Sequence, residues 1–196
     1  MNKVYVEQSN NCSDELANQV FDTYTRMVSN APYAFKASKV RLLGESEYVQ
    51  QNGNDSAGLA FSSSGRIIEI RCKPSYASSK YLIHASIHEM AHIWDWYYGL
   101  RTGTALREQD YIKEKYQKYK DKSESERPLR DYSYKNEAEF FADLYTDYYF
   151  RYVDSNWYDI GSVHTGSIHA WIFNEDKFYE NIEKYKNIAE NGYKTN

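Results

Sequence analysis

The stretch that most constrains this chain runs from Ser79 to Tyr98, "SKYLIHASIHEMAHIWDWYY". Ile83, Ile87, Ala91 and Trp94 recur at helical spacing, so the segment reads as a helix with one apolar stripe turned to a core. Gly99 follows as a C′ residue that would close it. Burying such a helix takes His88, Glu89 and His92 into the interior with it, and buried polar groups are costly unless something compensates them. Histidines four apart project from one helical face. His88 and His92 can therefore reach a single ion at the ~2.0–2.1 Å that zinc–nitrogen bonds require. Glu89, one residue on, is rotated off that axis and stands where it can take a proton from an attacking water.

Two ligands do not complete a catalytic zinc site, which needs a third protein ligand and one open position. The candidates lie in "NEAEFFADLY" (residues 136–145). Glu137 and Glu139 are both carboxylates at the start of a second helix. Glu139 and Asp143 are four apart and share a face, which suggests Glu139 as the ligand. Asp143, one turn on, would then fix the tautomer of a ligand histidine. Asp95, three residues after His92, could do the same. His84 is one turn before His88; as a fourth ligand it would fill the open position, so it reads as a groove or partly buried polar residue.

The rest of the chain divides at Pro32, Pro74 and Pro128. Ser13–Asn30 reads as a helix with Ser13 as N-cap, Asp14 and Glu15 in the first turn, and Leu16, Val20, Phe21, Tyr24 and Val28 on one stripe. "KVRLLG" (Lys39–Gly44) is a short strand, and "GLAFSSSGRIIEIRC" (Gly58–Cys72) a hairpin around a Ser/Gly turn. "ALREQDYIKEKYQKYKDKSESER" is a charged helix running into a polar loop before Pro128, and its interleaved Lys, Glu and Asp mark a solvated face. Asn136–Val153 and Asn174–Asn191 are two further helices. The expected fold is α+β and mainly helical, with a small β-sheet or hairpin of the N-terminal half packed on the histidine helix. A single domain spans 1–196, with a helix-plus-sheet lobe over about 1–78 and a helical lobe over 79–196.

A net charge of −4 gives no basic footprint for nucleic acid. No apolar run reaches membrane-spanning length. The aromatic share of 17%, with 21 tyrosines, is far from a disordered composition. It suits either core filling or a groove for an extended peptide. Cys12 and Cys72 are either bridged or free. "MNKVYVEQSNNCSDE" has no apolar h-region, so the protein either stays in the cytoplasm or is a secreted form that has lost its signal.

"HEMAHIWDWYYG" followed by "YSYKNEAEFFADLY" resembles the catalytic domain of anthrax lethal factor and the related bacterial Pro-Pro endopeptidases, over roughly Gly58 to Asn191. The resemblance implies a zincin-like metalloprotease with one Zn2+ per chain, held by His88, His92 and Glu139, with Glu89 as general base. It matches Glu137 to a family glutamate that is not a ligand. The family also has a tyrosine seven residues before the ligand glutamate, whose hydroxyl steadies the oxyanion. That position is Tyr132, with Tyr134 a near competitor. "QNGNDSAGLAF" is shorter than the corresponding family segment and lacks its substrate-contacting tryptophan, so the reaction class carries over and Pro-Pro specificity does not. The implied activity is a secreted, monomeric zinc endopeptidase acting on an extended segment of a protein substrate. Two alternatives are an intracellular metallopeptidase that cleaves a regulatory protein and a non-catalytic metal- or partner-binding domain. Glu89 separates the last of these, because a binding module needs no base there.

Overall fold

The computed structural model describes residues 5–79, 81–154 and 176–193. The chain is α+β and mainly helical, as expected. It forms two compact units that divide between Ile93 and Trp94.

The first unit is built on a four-stranded mixed sheet: β1 (Tyr5–Gln8), β2 (Lys39–Gly44), β3 (Gly58–Phe61) and β4 (Ile67–Cys72), in the order β1-β2-β4-β3. β2 lies parallel to both β1 and β4, with Lys39 opposite Ile67 and Gly44 opposite Cys72. β3 returns antiparallel to β4 as the expected hairpin. Its turn uses Gly65 and Arg66 at positive φ, which is why the Ser/Gly segment reverses there. Helix α1 (Asp14–Asn30) crosses over between the parallel strands β1 and β2. Ser13 caps it by accepting the Leu16 N–H at 3.4 Å. Leu16, Val20 and Tyr24 are buried as the stripe predicts, but Phe21 is exposed, and Thr23 and Met27 are buried. The stripe is thus rotated from Phe21 and Val28 toward Thr23 and Met27.

Two elements of this unit carry little sequence signal, the edge strand β1 and helix α2 (Glu45–Asn52). Buried charges tie α2 and its following loop to β4. Arg71 donates to Glu45 at 2.7 Å and to the Asn54 carbonyl at 3.2 Å, while Glu69 accepts from Asn52 at 2.7 Å and pairs with Arg41. Cys12 and Cys72 are joined in a disulfide that fastens the start of α1 to the end of β4.

A short helix, α3 (Tyr76–Ser79), precedes the long helix α4 (Tyr81–Thr102), inside which the division between the units falls. α4 does not end at Gly99. It continues to Thr102, and Gly103, at φ +87°, donates its N–H to the Gly99 carbonyl as the C′ residue. Gly99 has a packing role: a Cβ there would lie 2.9 Å from the Ala105 Cα.

The second unit packs helices on aromatic rings. α5 (Asp110–Tyr119) is the α-helical part of the charged segment, with 3-10 turns at Leu106–Glu108 and Glu124–Glu126 on either side, and one of its lysines, Lys115, is buried. α6 (Glu137–Tyr148) ends in a single π turn, Tyr149–Val153, and α7 covers Asp176–Glu190. Trp94 is fully buried against Tyr145 and Phe141, with ring centroids 4.9 and 5.9 Å away. Tyr98, Tyr145 and Tyr149 are also core residues. Much of the tyrosine content is therefore core filling.

Candidate metal centre

In α4, Ile83, Ile87, Ala91 and Trp94 are all buried, as their spacing requires. The helix carries His88 and Glu89 into the interior, at 4% and 7% exposure, and leaves His92 half-buried. The imidazoles of His88 and His92 turn toward one another, with Nε2 to Nε2 at 3.1 Å. Two zinc–nitrogen bonds of ~2.05 Å at a tetrahedral angle place their nitrogens about 3.3 Å apart. The same separation also suits one N–H···N hydrogen bond between neutral rings. A third ligand atom distinguishes a metal cradle from such a pair, and Glu139 supplies it. Among the described residues, the ligand atoms of His88, His92 and Glu139 lie within 4.8 Å of one another. A nitrogen, nitrogen, oxygen set of this kind fits zinc.

Glu139 owes its place to the start of α6. Asn136 is the N-cap, and its side-chain oxygen accepts the N–H of Ala138 at 2.9 Å and of Glu139 at 3.0 Å. A carboxylate in this first turn also meets the positive end of the helix dipole. Glu137 lies in the same turn but is not among the three converging residues.

Glu89 sits on the sheet side of α4. Gly58, the first residue of β3, passes so close that a Cβ built there would be 2.7 Å from Glu89 Cγ. Tyr24 and Tyr48 also feel Glu89. Burial pushes their hydroxyls well above the ordinary tyrosine range, and the Glu89 charge adds to that push. Tyr24 donates to the Ser86 carbonyl at 3.2 Å, one turn before Glu89. Both tyrosines are thus neutral neighbours of the carboxylate. His84 is buried, with its ring 5.8 Å from Tyr81 and 5.9 Å from His88, and is not among the converging residues.

The two aspartates expected beside the histidines both hold arginines. Asp95, fully buried, accepts the Arg107 backbone N–H at 2.8 Å and its guanidinium at 2.6 Å. Asp143, also fully buried, accepts from Arg130 Nε at 2.7 Å and Nη2 at 2.9 Å, and from the Ser133 hydroxyl at 2.6 Å. The two competing tyrosines separate by environment. Tyr134 is buried on Phe140, and burial raises its hydroxyl pKa. Tyr132 is 39% exposed, with the Arg130 guanidinium 5.0 Å from its ring centroid.

Sequence reasoning missed Gly58, Arg130 and Ser133. A glycine opening a strand is a signal of close backbone approach and could have marked Gly58. Nothing local pairs Arg130 with a carboxylate thirteen residues away. No helix among the described residues is long and apolar enough to cross a membrane. No protein-family model, curated protein or solved structure matches the chain.

Proposed function

We propose that this chain is a zinc-dependent endopeptidase of a zincin-like fold, related to the lethal factor and Pro-Pro endopeptidase group. The observation that carries this reading is the convergence of His88, His92 and Glu139, with Glu89 buried on the same helix. A zinc ion held by these three would supply Lewis acidity, bringing water toward ionisation near neutral pH and polarising a peptide carbonyl.

The remaining chemistry belongs to the chain. Glu89 takes the proton of the attacking water on its carboxylate and passes it to the departing amine. The backbone of Gly58 and the Ile70 side chain confine that carboxylate on the sheet side. Tyr132 donates its hydroxyl to the oxyanion. Its exposure favours it over the buried Tyr134. The substrate is an extended segment of a protein. The Cys12–Cys72 disulfide favours an oxidising, extracellular setting.

The test is digestion of a mixed-sequence peptide library, read by mass spectrometry, with wild type and Glu89→Ala side by side. Cleavage by wild type alone is the expected result and yields the residue preference. Equal cleavage by Glu89→Ala removes Glu89 as the base, and cleavage by neither removes the peptidase reading for short substrates.

A further inference from the structure

The Asp143 carboxylate gathers three hydrogen bonds from two residues that bracket Asp131 and Tyr132. Arg130 binds it through Nε at 2.7 Å and Nη2 at 2.9 Å, a two-pronged pairing of fixed geometry. The Ser133 hydroxyl binds it at 2.6 Å. The Ser133 N–H also donates to the Arg130 carbonyl at 3.0 Å, closing the turn on itself. Tyr132 lies inside this clamped turn, the 3-10 segment Asp131–Tyr134. Its ring is packed on the same Arg130 guanidinium. Asp143 itself is fully buried on α6, one turn after Glu139 and on the same face.

We infer that Asp143 is a positioning residue that fixes Tyr132 relative to Glu139, with Arg130 and Ser133 as its two arms. The inference rests on the proposed role of Tyr132 as oxyanion donor. A rigid helical turn joins Glu139 to Asp143, and charge-assisted hydrogen bonds join Asp143 to both sides of Tyr132. The ligand and the hydroxyl donor are therefore coupled through one carboxylate. A hydroxyl on an exposed turn would otherwise wander, and misplacement by about 1 Å can cost a hundredfold in rate. The site asks of this clamp an orientation and no proton.

Ser133→Ala tests it with the least disturbance, since it removes one of the three bonds and leaves the Arg130–Asp143 pair. The expected result is a fall in kcat of about tenfold, with KM and bound zinc unchanged. In a Tyr132→Phe background the same substitution should lower kcat no further, because the group it positions is already gone. A readout independent of turnover is the NMR spectrum of ring-13C tyrosine. The Tyr132 signal, identified as the one missing from Tyr132→Phe, should shift in Ser133→Ala and in the isosteric Asp143→Asn. A lower Tm with the Tyr132 signal unmoved would make the clamp a stabilising pair only and overturn the inference, as would additive kinetic losses. If wild type cleaves no peptide, the proposed function fails for short substrates, and the Tyr132 signal alone decides the clamp.

Discussion

The backbone of Gly58 runs against the side chain of Glu89 so closely that any Cβ at position 58 would meet Cγ at 2.7 Å and Oε1 at 3.0 Å. Ile70 Cδ1 stands 3.1 Å from the same point, so the space is closed from the sheet side as well. The φ of Gly58 is not in the left-handed region, so the requirement for glycine is steric. Gly58→Ala should displace the Glu89 carboxylate, lowering kcat at least tenfold while zinc content holds. Overpacking of this kind costs about 1–3 kcal/mol, so a modest fall in Tm should accompany it. Wild-type turnover in Gly58→Ala would show that Glu89 can shift without loss and is not held in a required position.

Glu137 and Glu139 share the first turn of α6, but only Glu139 joins the two histidines. Glu139→Ala should therefore weaken zinc binding at least tenfold in a chelator-competition titration. Glu137→Ala should leave it unchanged. Equal losses would mean that both carboxylates reach the ion.

Where the residues of an element repeat with a strong period, the fold was legible. α1, β2, the β3–β4 hairpin and α6 lie where cap residues and alternation place them. β1 was not legible because its four residues are almost all exposed, leaving no apolar alternation to read. α2 buries only Tyr48, so no stripe marks it. The end of α4 was misjudged because Gly99 resembles a terminator, yet it serves a close approach to Ala105. In the site, the i, i+4 histidines and the carboxylate face of α6 follow from helix geometry alone. The arginines on Asp95 and Asp143 come from 3-10 turns, Arg107 within one and Arg130 capping another, and the contact of Gly58 with Glu89 comes from a strand. Local pattern can mark Gly58 as a point of close approach, but it names the partner in none of these pairings.

The Cys12–Cys72 disulfide spans 60 residues of sequence and joins the turn just before α1 to the last residue of β4. Cross-linking a loop of that length removes chain entropy from the unfolded state worth about 4 kcal/mol. Urea unfolding with and without a phosphine reductant should show a drop of about that size in unfolding free energy. Cys12→Ser should match the reduced protein. An unchanged midpoint on full reduction would mean that residual structure already confines the unfolded chain between these two positions.

Tyr24, Tyr48, Tyr111, Tyr134, Tyr185 and Tyr193 all have hydroxyls whose pKa burial raises well above the ordinary 10.0. A group bound more tightly to its proton in the folded state gives stability that is complete below its unfolded pKa and lost as pH climbs toward its folded value. The chain should therefore hold its stability up to about pH 10 and lose it progressively above that. Ionisation of these six hydroxyls then requires unfolding, so tyrosinate absorbance near 295 nm should rise in a late step together with loss of the far-ultraviolet helix signal. A single smooth titration of all the tyrosines near pH 10, with the helix signal intact, would show that the buried hydroxyls reach solvent in the folded chain.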